Sequence, residues 1–367
     1  MAPRTAAQPS RATRRRCWWH LRQRWKMLVV MLGVFEINPE HKFYNLTAMI
    51  KEGINTSIQT SMDTPETLTA EHFKAEETQS HEGFEMQTFA PQVFAKLRHS
   101  LNITEEEYMN SLCSDGDYLQ FVSNSKSKAD FFITNDKRFF LKTQNRREVR
   151  FLLSNLQAYM DHLEKYPHSL MKYFIVMQSV FYPDERINIR FDIKGCELGR
   201  WTNPDTGGKQ IIKVLKDNNF EGQHIGLGRQ KSWFVNQVKV DVGFLRQLNV
   251  LDYSLLLAHQ PLHQDEIDGK HSMINSLAIE TETDSELQKF HEHHRRLLPN
   301  CKNAIHVIDG PERRYFVGII DIFTVYGWKQ RWENLWKSLR YPGRAFSTVN
   351  PVKYSNRFCQ WIQNHTQ

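Results

Sequence analysis

No two cysteines of this 367-residue chain form a C-x-x-C pair; the five present, Cys17, Cys113, Cys196, Cys301 and Cys359, are odd in number and scattered. Such spacing excludes the common zinc and dithiol motifs and fits a reducing compartment. Long apolar runs are also missing. Met27 to Phe35 is nine residues long, whereas crossing a bilayer takes about 20. That run follows an Arg-rich start, as in a secretory signal, yet no small-residue cleavage site precedes Glu36. A short buried or interfacial segment is therefore expected. No internal repeat is visible, which excludes solenoids and propellers. The N-x-[ST] triplets at Asn45, Asn55 and Asn102 carry no weight in a cytosolic chain.

Acidic residues are absent from residues 1 to 26, which hold eight Arg or Lys. Residues 321 to 367 hold seven basic and two acidic residues, in a chain of net charge +7, so the middle is acidic on balance. Positive ends suit an anionic partner, lipid surface or nucleic acid, although residues 1 to 26 alone also read as a solvated basic tail. No aromatic-basic recognition module is visible, and no nucleic acid is expected as a partner.

What is present suffices for a sizeable core: 40% of the residues are hydrophobic, enough for one two-lobed domain or two closely joined ones. Met49, Ile50, Ile54 and Ile58 fit one face of a helix within Leu46 to Met62, and Phe94, Leu97 and Leu101 suggest another. Thr64 to Gln79 is polar and reads as loop. Phe131 to Ile133 and Phe139 to Leu141 flank Asn135-Asp136 as a hairpin. Helical spacing predicts a helix from about Arg147 to Tyr166, marked by Val149, Leu152, Leu156, Met160 and Leu163, and a second through Phe234, Val238, Val242 and Leu245. Strands are expected at Tyr173 to Met177, Ile211 to Leu215, Ser254 to Ala258 and Tyr315 to Phe323. The mixed order predicts an α+β fold with partly antiparallel sheets. His259 to Cys301, with His291, His293 and His294, reads as an insertion or linker rather than a rigid metal site.

Phosphoryl transfer needs a cation for the phosphates, carboxylates for magnesium and a group to position the attacking hydroxyl. Lys142 ends the second hairpin strand, on the face of Phe140 and opposite Phe139 and Leu141. It can enter a cleft or simply be solvated. Glu148, early in the following helix, is the expected ion-pair partner. Asp252 heads one apolar run and Asp321 ends another. Each is either a surface residue at a strand terminus or a cleft carboxylate compensated by a metal or cation.

These pieces stand in order with others: Thr88 to Phe94 (TFAPQVF), Tyr108 to Cys113 (YMNSLC), Arg138 to Thr143 (RFFLKT), Asp192 to Gly195 (DIKG), Leu215 to Phe220 (LKDNNF), Leu251 to Leu256 (LDYSLL), Gly318 to Ile322 (GIIDI) and Ser347 to Pro351 (STVNP) with Tyr354 to Phe358. Together they resemble the phosphatidylinositol phosphate kinase family from about Thr47 to the C-terminus. The resemblance implies a two-lobed lipid-kinase fold with mostly antiparallel sheets flanked by helices. Residues 1–26 would be a disordered basic arm. Residues 27–367 would be the kinase domain, with an N-lobe over about 27–180, a C-lobe over about 181–367 and a polar insertion over about 259–304.

By the same resemblance, Lys142 is the ATP-phosphate lysine, Asp252 the carboxylate beside the lipid hydroxyl and Asp321 the magnesium ligand, with Glu148 grouped beside the nucleotide. Asp192 and Lys194 match a D-L-K-G motif. Lys216 and Asp217 match the F-K-D motif that lines the nucleotide cleft. The family's basic lipid-recognition loop corresponds to Gly327 to Lys337, where Lys329, Arg331 and Lys337 can meet phosphate. Glu333 stands where the 5-kinase type carries Glu. Trp328, Trp332 and Trp336 recur every four residues and would share a helix face, at a lipid interface or in the core.

The implied cofactors are ATP and Mg2+. The implied partner is phosphatidylinositol 4-phosphate in an anionic membrane, with related lipid kinases as further partners. The implied location is cytoplasmic and peripheral at membranes, the plasma membrane in particular. Two departures accompany the resemblance. Lys126 and Ala129 replace glycines of the phosphate-covering loop within Ser123 to Asp130, and some fifteen family residues after Leu170, a strand and turn, are absent. The alternative to an active 5-kinase is accordingly a kinase-fold scaffold that binds membranes or active lipid kinases.

Overall fold

A computed structural model describes residues 34–60, 65, 67–100, 103–121, 129–166, 169–171, 176–178, 187, 189–204, 214–262 and 307–367. The expectations for the basic arm, most of the run from Met27, most of Ser123 to Asp130, the start of the Tyr173 and Ile211 strands and the His-rich stretch lie outside the described residues. Elsewhere the chain is mixed α+β, with largely antiparallel sheets.

The first sheet has the order β1 (Val34–Glu36), β4 (Leu119–Phe121), β5 (Phe131–Ile133), β6 (Phe139–Lys142) and β7 (Val176–Gln178), every pair antiparallel. β5 and β6 are the expected hairpin. Phe139 and Leu141 are buried while Phe140 and Lys142 are only partly so, which sets Lys142 on the open face. Loss of the family's strand and turn after Leu170 would leave a row of unpaired backbone groups on a small sheet. Instead β7 fills the place beside β6, with Phe140 opposite Met177, so β6 is an interior strand. Beneath the sheet, Ile54 and Ile58 of α1 (Tyr44–Thr60) pack with Leu112 of α3 (Glu105–Leu112), Tyr118, Phe132, Phe139 and Leu141.

A separate hairpin, β2 (Glu76–His81) with β3 (Phe84–Phe89), precedes α2 (Pro91–Ser100). This corrects the loop expected over Thr64 to Gln79, since Glu76 to Gln79 are in a strand. Alternate β2 residues are fully exposed, so polarity does not oppose pairing there, and Gly83 at φ +85° makes the two-residue turn.

The second sheet has the order β11 (Val307–Asp309), β12 (Arg313–Ile320), β10 (Ser254–Pro261), β8 (Arg190–Ile193) and β9 (Val214–Lys216), antiparallel except for β8 with β9. Leu255, Leu257, Val317 and Ile319 join a large core with α4 (Arg146–Lys165), α5 (Lys231–Gln247) and α7 (Pro351–His365). α4 follows β6 of the first sheet in sequence but contributes Leu152, Leu156, Tyr159 and Met160 to this second core. A buried pair bolts it down: His162 Nε2 lies 2.9 Å from Asp241 Oδ1 of α5, and the Leu170 N–H donates to Asp241 Oδ2 at 2.7 Å. Removing one partner would leave a buried polar group unsatisfied, at a cost of about 1–3 kcal/mol.

Candidate active site

Strand register gathers the motifs at one end of the second sheet. Ser254, at the start of β10, pairs with Ile320, at the end of β12, so Asp252 and Asp321 leave the same edge. Leu255 pairs with Ile193 of β8, which brings Asp192 and Lys194 beside them. Asp192 pairs in turn with Lys216 of β9, and Asp217 follows. Residues up to 129 positions apart, Asp192 and Asp321, thus meet because paired strands share this edge.

From the other sheet, Lys142 Nζ reaches Asp321 Oδ1 at 2.7 Å. Lys194 Nζ lies 2.9 Å from Asp252 Oδ1 and donates to the Asp252 carbonyl at 2.5 Å. Burial pushes the Lys194 ammonium down, but Asp252, Asp192 and Asp321 outweigh it and hold the pKa above the ordinary lysine value. Asp321 and Asp252 keep about 40% and 39% of their side-chain surface exposed, so both carboxylates are open to a ligand.

Glu148 is not the partner of Lys142. Its Oε2 accepts from the Asn145 N–H at 3.3 Å, while Asn145 Oδ1 accepts from the N–H groups of Arg147 and Glu148 at 3.0 and 3.1 Å. That reciprocal capping box starts α4, and the local need of four unpaired helix N–H groups outcompetes a distant lysine.

Asp217 is buried and inward-facing. It accepts from the N–H groups of Lys194 (2.9 Å) and Cys196 (3.2 Å) and from Arg200 Nε (2.6 Å). Arg200 also pairs with Asp192 Oδ1 at 3.1 Å and donates to the Asp192 carbonyl. Burial pushes the Asp192 carboxyl up, yet Arg200 and Lys194 overcome it and hold the pKa below the usual value. Asp217 and Arg200 therefore shape the turn that aims Lys194. Gly195, at φ +65°, belongs to that turn, and a Cβ there would come within 3.2 Å of the Phe358 backbone.

Asp252 (φ 66°) and Asp321 (φ 62°) both occupy the left-handed region, which non-glycine residues enter at a cost. Each is held from behind in the same way. Tyr159 of α4 donates its hydroxyl to the carbonyl of Ile322 at 3.0 Å, and Tyr354 of α7 donates to the carbonyl of Tyr253. Sequence reading assigned no role to Tyr159 or Arg200 and saw Tyr354 only as part of a motif. An isolated hydroxyl in an apolar helix face carries no positional signal.

The segment after Asp321 ends in α6 (Trp328–Arg340), in which no residue is buried. Trp328, Trp332 and Trp336 are 76%, 65% and 59% exposed, with Leu335 and Leu339 beside them, so the indoles stay out of the core. Arg331 stacks over Tyr326 and Trp328. Glu333 accepts from Thr348 at 2.9 Å and pairs with Lys337 at 2.5 Å; burial raises its pKa, but Lys337 and Thr348 prevail and keep it below the ordinary value. Lys329 adds to the same field.

The named cluster sets four carboxylates, Asp192, Asp217, Asp252 and Asp321, against three cations, Lys142, Lys194 and Arg200. An excess of hard oxygen donors fits magnesium, which takes one or two protein carboxylates and completes its shell from water and phosphate. No group of three or more His, Cys, Asp or Glu among the described residues forms a metal cage of its own.

Comparison with known proteins bears on this geometry. The family described as Phosphatidylinositol-4-phosphate 5-Kinase matches residues 112–365. Human Phosphatidylinositol 4-phosphate 5-kinase-like protein 1 is 47% identical over 384 residues, covering 100% of this chain and 96% of that protein. The mouse protein of the same name is 44% identical over 377 residues, covering 98% and 94%. Phosphatidylinositol 4-phosphate 5-kinase its3 of Schizosaccharomyces pombe is 26% identical over 390 residues, covering 88% of this chain and 52% of that one. Fold and matches define a protein of the lipid-kinase class. Within that class, the chain belongs to the phosphatidylinositol-4-phosphate 5-kinase family.

Proposed function

We propose that the protein transfers the γ-phosphate of ATP to the 5-hydroxyl of phosphatidylinositol 4-phosphate at an anionic membrane. The observation that carries this reading is the meeting of Lys142 with Asp321 at 2.7 Å and of Lys194 with Asp252 at 2.9 Å, across two sheets. When bound with ATP, Mg2+ would supply neutralisation of phosphate charge, and Asp321 would hold it. Opening the Lys142–Asp321 pair frees the ammonium for phosphate oxygens and the carboxylate for the cation. Asp252 then orients the lipid hydroxyl and takes its proton as the new O–P bond forms and the bond to the ADP oxygen breaks. Lys194 holds Asp252 in place.

The exposed face of α6 supplies the lipid contact. Indoles and leucines favour the interface, while Lys329, Arg331 and Arg340 favour anionic headgroups. Glu333, at the 5-kinase-type position, favours the 4-phosphate isomer. This arrangement suits a cytoplasmic protein peripheral at membranes, the plasma membrane in particular. Among the described residues no helix is long and apolar enough to cross a membrane.

One feature favours the second reading, a scaffold of weak or no turnover that binds membranes or active lipid kinases. Ser123 to Asp130 contains no glycine, although close backbone approach to a nucleotide favours glycine. Labelled ATP, Mg2+ and vesicles of phosphatidylinositol 4-phosphate decide between them. Label at the 5-position, lost in Lys142→Ala, supports catalysis. Lipid label no higher than in that variant, with intact vesicle binding, supports the scaffold.

A further inference from the structure

α5 and α7 pack side by side, and a groove of about 400 Å3 runs along their seam, lined by Lys239, Gly243 and Arg246 from α5 and by Asn356, Cys359 and Gln360 from α7. Small-molecule sites begin at about 300 Å3. The groove lies on the side of α7 away from the tyrosine that holds the Asp252 turn.

Its charge is one-sided. Lys239 and Arg246 have no ion-pair partner among the described residues, and α7 carries no Asp or Glu. The single acid of α5, Asp241, is buried and committed to His162 and the Leu170 N–H. Both cations bear on the Cys359 thiol, so their fields converge over the middle of the groove. Asn356 and Gln360 are exposed and, among the described residues, spend their amides on no internal hydrogen bond.

Gly243 is an independent sign. It sits in the helix interior without a left-handed φ, and a Cβ built there meets nothing within 4 Å. Neither backbone geometry nor internal packing calls for glycine, which weakens a helix relative to alanine. Its bare backbone widens the groove floor between the two cations. Lys239 and Arg246 are seven residues apart, about 10 Å along the axis, near enough for their long side chains to converge on two adjacent phosphate groups.

We propose that this groove binds a small polyanion carrying two phosphate groups, one facing Lys239 and one facing Arg246, with the amides of Asn356 and Gln360 meeting its polar body. The phosphates can belong to a soluble molecule or to a lipid headgroup.

Thermal unfolding of full-length Lys142→Ala protein at constant ionic strength, with and without millimolar pyrophosphate, tests the site with the nucleotide lysine removed. Pyrophosphate is expected to raise the Tm by about 2–4 °C. The rise is expected to vanish when Lys239→Gln and Arg246→Gln are added, both exposed positions that folding tolerates. It should vanish also with Gly243→Leu, which keeps both charges and fills the floor. Equal rises in all three proteins, or none in the parent, overturn the proposal. Co-sedimentation with phosphatidylinositol 4-phosphate vesicles identifies the source. A roughly tenfold loss in the double Gln variant assigns a headgroup; unchanged sedimentation with loss of the pyrophosphate effect assigns a soluble phosphate.

Discussion

Replacing Asp217 with alanine strands three donors at once: the N–H groups of Lys194 and Cys196 and the Nε of Arg200, now satisfied at 2.9, 3.2 and 2.6 Å. An unsatisfied buried N–H costs about 1–3 kcal/mol, and a buried ion pair broken on one side about 3–5 kcal/mol. Arg200 keeps its second partner, Asp192, at 3.1 Å, so its share falls below the full cost of a broken pair and the sum is about 3–5 kcal/mol. At about 2 °C per kcal/mol for a large domain, the Tm should fall by about 6–10 °C. Asp217→Asn retains an acceptor for the N–H groups but loses the charge, and should fall between alanine and the parent. Thermal unfolding, followed by circular dichroism with and without Mg-ATP, measures both terms. A Tm within about 2 °C of the parent, combined with complete loss of ATP stabilisation, would refute the reasoning. Asp217 would then be a nucleotide contact, as the F-K-D resemblance implied, and not the anchor of the turn.

Asp192 titrates below its unfolded value, so its contribution is present above about pH 4 and is lost as pH falls through the folded pKa; Lys194, raised, contributes below about pH 10 and loses its share as pH rises further. Asp192→Asn should therefore flatten the acid limb of a Tm–pH profile and, because Asp192 helps hold Lys194 protonated, also reduce the alkaline limb; an unchanged acid limb counts against this ionic network. Burial pushes the thiols of Cys113, Cys196 and Cys359 up to about 11. Peptide mapping at pH 7.5 should find iodoacetamide reacting at these three on the order of a hundredfold more slowly in folded than in urea-unfolded protein; equal rates would contradict the burial. Removing one exposed indole, Trp332→Ala or Trp336→Ala, should weaken binding to anionic vesicles about tenfold, equivalent to about 55 Å2 of apolar surface kept from the bilayer at ~25 cal/mol per Å2. Unchanged vesicle affinity would detach α6 from the membrane role.

Legibility varied with the kind of interaction. Lys142 could be placed on the open face because strand alternation is a local rule, and α4 because its apolar residues recur at helical spacing. The approach of Asp252 to Asp321 came from motif resemblance; its physical cause, the pairing of Ser254 with Ile320, is a register between strands 60 residues apart. Glu148 was misread although Asn145 and Glu148 carry the spacing of a capping box, because a long-range partner was sought before the local one. Arg200 and the Tyr159 hydroxyl left no sequence signal, and Tyr354 was legible only as part of a motif, since their partners are main-chain or distant groups. The β2–β3 hairpin was hidden by its polarity: the half-buried face of β2 is itself made of polar residues, so the apolar alternation by which strands are recognised is missing.

The left-handed backbone shared by Asp252 and Asp321 limits how either side chain can be interrogated. Alanine at those places would delete a carboxylate and also load the chain with a conformation that a methyl-bearing residue resists, so lost turnover and a relaxed loop would be confounded. Asparagine tolerates that geometry and matches the carboxylate in shape. The amide variants are therefore the cleaner dissection of charge from architecture, and glycine variants are the controls for backbone freedom.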